Sequence, residues 1–137
     1  MTMTREQKRL VRESFQRIHE MAGPIALLFY GRLFEIEPGA RKLFHNDLRL
    51  QGLKLMETLG SLVESLDHFD RMQGHLAELG RRHAGYGVKP EQYEKLKLAL
   101  MWSLKQALGP EFGPDTQAAW ALVIDEVSHA MISSAAV

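Results

Sequence analysis

The sequence predicts an all-α protein. Apolar residues recur at spacings of three and four in six separate stretches, no stretch alternates with period two, and proline or glycine stands between the stretches. The 137 residues suit one domain, residues 1–137, able to bury about two-thirds of the surface that the unfolded chain exposes.

Thr4 with Gln7 has the spacing of a capping box, in which each side chain satisfies the other's backbone N–H. It opens a first helix with Leu10, Val11, Phe15 and Ile18 on its apolar face. Gly23-Pro24 is expected to break that helix. Pro24 suits the first turn of a second, where a missing N–H costs nothing, and Leu27, Tyr30 and Phe34 form its stripe as far as Pro38. Only a short turn fits between Pro38 and Phe44. The segment HNDLRLQG starts polar and irregular, and a third helix follows with Leu55, Leu59, Leu62 and Leu66 in line. One turn back, the same stripe reaches Gln51.

After Asp67 to Asp70, a loop or helix start, comes LAELGRRHAGYGV, Leu76 to Val88, closed by Gly85 and Gly87. Pro90 opens a fifth helix with Tyr93, Leu96, Leu100, Leu104 and Leu108 inward. Gly109-Pro110 ends it and Gly113-Pro114 starts the last, which is expected to bury Trp120, Val123, Val127 and Ala130. No internal repeat, low-complexity tract or linker divides the chain.

Charge and composition exclude several functions. The 17 basic and 17 acidic residues are dispersed, so no overall field draws nucleic acid or an anionic membrane. The absence of cysteine removes disulfides, thiolate nucleophiles, iron–sulfur clusters and thiolate zinc sites. MTMTREQKRL is neither signal peptide nor anchor, and no stretch has the roughly 18 apolar residues of a membrane helix. A cytoplasmic protein is expected. Gly-rich phosphate loops, HExxH and GxSxG are all missing. Of the six histidines, His68 and His75 read as a solvated pair, and His19 and His129 as surface.

His83 is different. Leu76, Leu79 and His83 share one helical stripe, while Arg81 and Arg82 point elsewhere. On that face one imidazole nitrogen can donate to the Leu79 carbonyl and leave the other free as a Lewis base. Both a hydrogen-bonded core histidine and a metal ligand are compatible with this segment alone.

An inward His83, an inward Gln51, the aromatic stretch FYGRLFEIEP and Phe44 six residues after Pro38 stand in an order and at separations that resemble a globin. The resemblance runs from the first helix to about Met131 and is nearest to single-domain bacterial globins and the globin part of flavohaemoglobins. LGRRHAGYGV and LGPEFGPDTQAAW are also similar to neuroglobin. The resemblance implies a globin fold, a three-over-three helical sandwich around haem b, with His83 as the protein's bond to iron. It implies that Phe44 packs on the porphyrin, and that Leu55, Leu59, Leu79, Val88 and Leu96 line it. Without the resemblance, these are ordinary core residues.

By the same resemblance, Tyr30 and Gln51 face the sixth coordination site. A phenolic O–H and an amide N–H are two donors for a diatomic ligand that gains negative charge in a dry pocket. The expected function is reversible binding of O2, and of NO or CO, for storage, scavenging or transport. Nitric oxide dioxygenation is the alternative, and gas or redox sensing a third reading.

The likeness to flavohaemoglobins is incomplete. Tyr93 matches the tyrosine that braces their proximal histidine, but Ala135 stands where the bracing glutamate is expected. The chain ends at Val137, so turnover is expected to draw on an external reductase. Lys54 and Arg82 are candidates for the haem propionates, and His45 for a surface or propionate-facing position. A monomer or weak dimer is expected.

Overall fold

In the computed structural model, which describes residues 2–44 and 47–135, Thr4 begins the first helix as its spacing predicts. The Gln7 N–H donates to the Thr4 hydroxyl at 3.1 Å, and the Thr4 N–H to Gln7 Oε1 at 2.9 Å. Six α-helices follow in order: α1 Arg5–Ile18, α2 Ala22–Ile36, α3 Leu48–Glu64, α4 Gln73–Gly85, α5 Gln92–Leu108 and α6 Pro114–Ala135. Short 3₁₀ turns occupy His19–Met21, Pro38–Leu43, Leu66–Met72 and Gly109–Glu111. There is no strand among the described residues, and none of their helices is long and apolar enough to cross a membrane.

The boundaries depart from expectation in ways that have causes. The break after α1 falls at His19–Met21, ahead of Gly23-Pro24, and Pro24 sits inside the first turn of α2. There its absent N–H interrupts nothing. Asp47 accepts from the Arg49 N–H at 2.9 Å and so starts α3 at Leu48, which puts Gln51 within the helix. Val88 lies beyond the end of α4. Leu27, expected on the inward stripe of α2, is 53% exposed, and Ile25, Ala26, Phe29, Tyr30 and Leu33 are buried instead. Val127 and Ala130 are only half-buried, whereas Trp120 and Val123 are sealed.

Packing sorts the helices into two layers of three, α1, α3 and α4 over α2, α5 and α6. The main contacts are α4 on α6, α2 on α5 and on α3, and α1 on α6. Helices α3 and α4 do not pack on each other to any comparable extent.

Two glycines set these contacts. A Cβ at Gly52 would stand 2.5 Å from the Ala26 Cβ, so α3 lies directly on α2 there. That contact turns Ala26 inward and leaves Leu27, the next residue round the helix, outside. At Gly80 a Cβ would lie 2.2 Å from the Met131 carbonyl oxygen, closer than any side chain permits, so α4 meets the backbone of α6. At the far side of the core Trp120 is fully buried, and its Nε1–H donates to Ser14 Oγ at 2.8 Å. The Ser14 hydroxyl donates in turn to the Leu10 carbonyl.

Gly80→Ala should therefore destabilise the protein by about 1–3 kcal/mol, because backbone on both sides must shift. Gly74→Ala, on the same helix with open space around it, should be neutral or stabilising by up to ~1 kcal/mol. Urea midpoints of the two variants check this, and equal shifts would remove the close approach as the constraint.

Candidate functional site

His83 lies on the half-buried face of α4, and its Nδ1 is 2.8 Å from the Leu79 carbonyl oxygen. The carbonyl can only accept, so Nδ1 carries the proton and Nε2 keeps a free lone pair. Burial pushes the imidazole below its usual pKa, and the bond to Leu79 opposes that without cancelling it. The ring is a neutral nitrogen base, the form a metal ion binds.

Tyr30 is 3% exposed and its ring stands among aromatic neighbours. Phe29 and Phe44 meet it edge-on, each at 5.1 Å, and Phe34 stacks on it at 6.2 Å. Its hydroxyl has no hydrogen-bond partner among the described residues and, since none of their buried side-chain oxygens is left unpaired, it reaches accessible space; burial of the residue pushes its pKa up to about 12. The phenol remains a donor at any physiological pH. The Gln51 side chain, half-buried on α3, is likewise unpaired among the described residues.

A path of contacts joins these positions. Gly87, at φ 96°, has a conformation that side chains disfavour, and a Cβ there would lie 3.5 Å from Leu43 Cδ2. The loop after His83 thus lies against the turn that leads to Phe44. Phe44 touches Tyr30, and the Tyr30 ring edge is 3.6 Å from where a Cβ on Gly52 would stand, one residue from Gln51. Around this path Phe44, Leu55, Leu79, Val88 and Leu96 pack on the core yet remain partly open, over a fully buried Leu59.

The donor set decides what such a site can hold. Among the described residues no three His, Asp or Glu side chains gather as metal ligands. A metal on His83 must therefore bring the rest of its coordination sphere with it. A flat, largely apolar macrocycle does so, and the half-closed apolar surfaces between separately packed α3 and α4 suit one. Haem fits these residues.

Other expected members are placed elsewhere. Arg82 is exposed, with its Nε 3.2 Å from Glu78 Oε1 one turn earlier, so its guanidinium is already engaged. Lys54 is exposed and has no carboxylate partner among the described residues. Tyr93 is buried, with its pKa raised by desolvation, and makes no hydrogen bond to His83. His45 lies outside the described residues. Sequence reasoning missed Gly52 and the roles of Phe34 and Leu43. A small residue in mid-helix beside Gln51 was the available signal for the first.

The Globin family model matches residues 27–131. Neuroglobin of Tetraodon nigroviridis is 25% identical over 132 residues, covering 86% of this chain and 83% of that one. Neuroglobin of Danio rerio is 24% identical over 143 residues, covering 94% and 90%. Among solved structures, an engineered carbene transferase made from a candidate nitric oxide dioxygenase of Rhodothermus marinus superposes with a TM-score of 0.89. It is 26% identical and covers 98% of this chain and 94% of its own.

The depressed His83 pKa makes a pH prediction for the haem-free protein. An unfolded histidine titrates near 6.5, and the folded one below it. The unfolded state then binds the extra proton first, so His83's contribution is complete above about 6.5 and is lost as pH falls toward its folded pKa. Thermal midpoints should drop on acidification through that window more steeply than in His83→Gln. Parallel curves would mean that the ring is not held neutral.

Proposed function

The chain belongs to the globin family, and from that premise we propose that it binds haem through His83 and holds O2, NO or CO beneath Tyr30 and Gln51. The observation that carries this reading is the pairing of a free nitrogen base on α4 with two unspent hydrogen-bond donors on α2 and α3. The ring of Tyr30 is buried while its unpaired hydroxyl oxygen stays reachable, so it is free to donate to a bound ligand.

Haem supplies an iron that takes a diatomic ligand and passes electron density to it. The chain does the rest. Leu79 fixes the His83 ring and its tautomer through the 2.8 Å bond, so Nε2 is presented without rotation. The aromatic neighbours hold Tyr30 in one orientation, which lowers the entropy lost when its O–H donates. Gln51 brings a second donor from the start of α3. The apolar side chains around them keep water away, which strengthens both bonds. With no cysteine for thioether attachment, the haem is held without that covalent link, as haem b is.

Nitric oxide dioxygenation is the second reading, and the likeness to the Rhodothermus marinus protein favours it. Against the more oxidising members of such chemistry stands the His83 environment. Its Nδ1–H donates to a neutral carbonyl and not to a carboxylate, so the imidazole lacks anionic character. This favours holding O2 over cleaving it.

The reconstituted protein should give a five-coordinate ferrous spectrum that shifts on exposure to O2 or CO. His83→Ala should lose most of its haem, and normal haem content in that variant would sink the assignment. Replacing Tyr30 by Phe together with Gln51 by Leu removes about 2–3 kcal/mol of charge-assisted hydrogen bonding. O2 dissociation should then be faster by roughly tenfold or more. Unchanged rates would take both residues out of the mechanism. Sustained NO consumption with a reductant would select dioxygenation over storage.

A further inference from the structure

Acid and base balance over the chain at 17 each, but not locally. Between positions 41 and 54 stand Arg41, Lys42, Arg49 and Lys54 against one carboxylate, Asp47. Asp47 Oδ1 is already taken by the Arg49 backbone N–H. All four cations are exposed, and none has a carboxylate partner among the described residues. Of the thirteen other lysines and arginines (17 less these four), eight do.

On α3 two of these cations flank apolar surface. Arg49, Leu50, Leu53 and Lys54 fall within roughly 140° of the α3 circumference at 100° per residue. Leu50 is 59% exposed and Leu53 50%. A face built only for water needs no leucines between its cations, whereas apolar contact ringed by charge is the anatomy of a protein interface. Glu57, one turn further, closes the patch.

This face adjoins the candidate site. Gln51 lies between Leu50 and Gly52 in the chain, and the Arg41 guanidinium sits 5.3 Å over the Phe34 ring, which stacks on Tyr30. We infer that the face from Arg41 to Lys54 receives a small acidic electron-carrier protein that delivers electrons singly to the bound haem. The inference rests on the haem reading above. The step itself is one electron passing from reduced carrier to ferric iron, which leaves ferrous iron and oxidised carrier, with no bond made or broken.

A redox partner suits a face with two exposed leucines among four unpaired cations, because electron-transfer encounters use small interfaces and gain speed from opposite charge. Nucleic acid would need a longer basic stripe than a protein of zero net charge offers. The two propionates of a haem could neutralise at most two of the four cations.

The test mixes ferric haem-loaded protein with a reduced [2Fe–2S] ferredoxin, an acidic one-electron donor, and follows reduction under CO by stopped flow. The second-order rate should fall roughly tenfold or more from low to physiological salt. Lys42→Glu with Arg49→Glu should cost a similar factor at low salt and abolish the salt dependence. Arg71→Glu with Lys105→Glu, which reverses two exposed cations elsewhere, should not. Carbodiimide coupling to ferredoxin carboxylates should fall on Lys42 and Lys54, and this readout needs no haem. Equal rates for both double variants, or coupling concentrated at Lys89, Lys95 and Lys105, would overturn the inference. So would a Lys42→Glu/Arg49→Glu protein that loses binding to anionic phospholipid vesicles but keeps its ferredoxin rate. Haem content and O2 dissociation of the same samples report separately on the haem reading.

Discussion

Backbone-to-backbone contact at two glycines is the constraint on which the remaining geometry depends. Gly52 seats α3 on Ala26 of α2, and Gly80 seats α4 on the Met131 carbonyl of α6. Each helix is thereby committed to a different partner in the opposite layer, so the two do not close on each other. Packed protein tolerates little empty space, and helices without such anchors would slide together to fill it. His83 and Gln51, both half-buried, thus stand on two helices whose placement is set by tight packing elsewhere. It follows that residues well removed from any ligand govern how those two helices sit.

Around these side chains the electrostatics are neutral. His83 is kept uncharged by burial, Tyr30 is kept protonated by burial, and the Gln51 amide carries no charge at all. No carboxylate bonds to His83. A site so lined responds to charge that develops on its ligand, because fixed dipoles in a low-dielectric setting act strongly on a new charge. Formal charge is displaced to the surface around the Arg41 to Lys54 face, where it can act at longer range without altering the iron's immediate surroundings.

Much of this was legible in the sequence, for local reasons. Helix periodicity, the Thr4–Gln7 capping box and the His83 to Leu79 bond depend on residues within four positions of each other, and spacing alone predicts them. The outward turn of Leu27 did not follow from its own helix, because it is decided by Gly52 25 residues away in the chain. The break at His19–Met21 was hidden by the stronger signal of Gly23-Pro24. The ion pair of Arg82 was readable, since Glu78 stands four residues before it. The Tyr93 hydroxyl makes no hydrogen bond to His83, whose Nδ1 is taken by the Leu79 carbonyl.

The bond from Trp120 to Ser14 closes the core over a sequence separation of 106 residues. As the chain emerges from the ribosome, the first helix exposes a face containing Val11, Ser14 and Ile18 whose principal cover, α6, is made only after the other five helices. Local helices can form early, but this long-range docking must wait until α6 has been made, and closing so long a loop carries a large entropy cost. Until then the apolar side of α1 has no permanent cover. Premature truncation in α6 would therefore release a chain with most of its helices and an unsealed core, a natural target for chaperones and proteases.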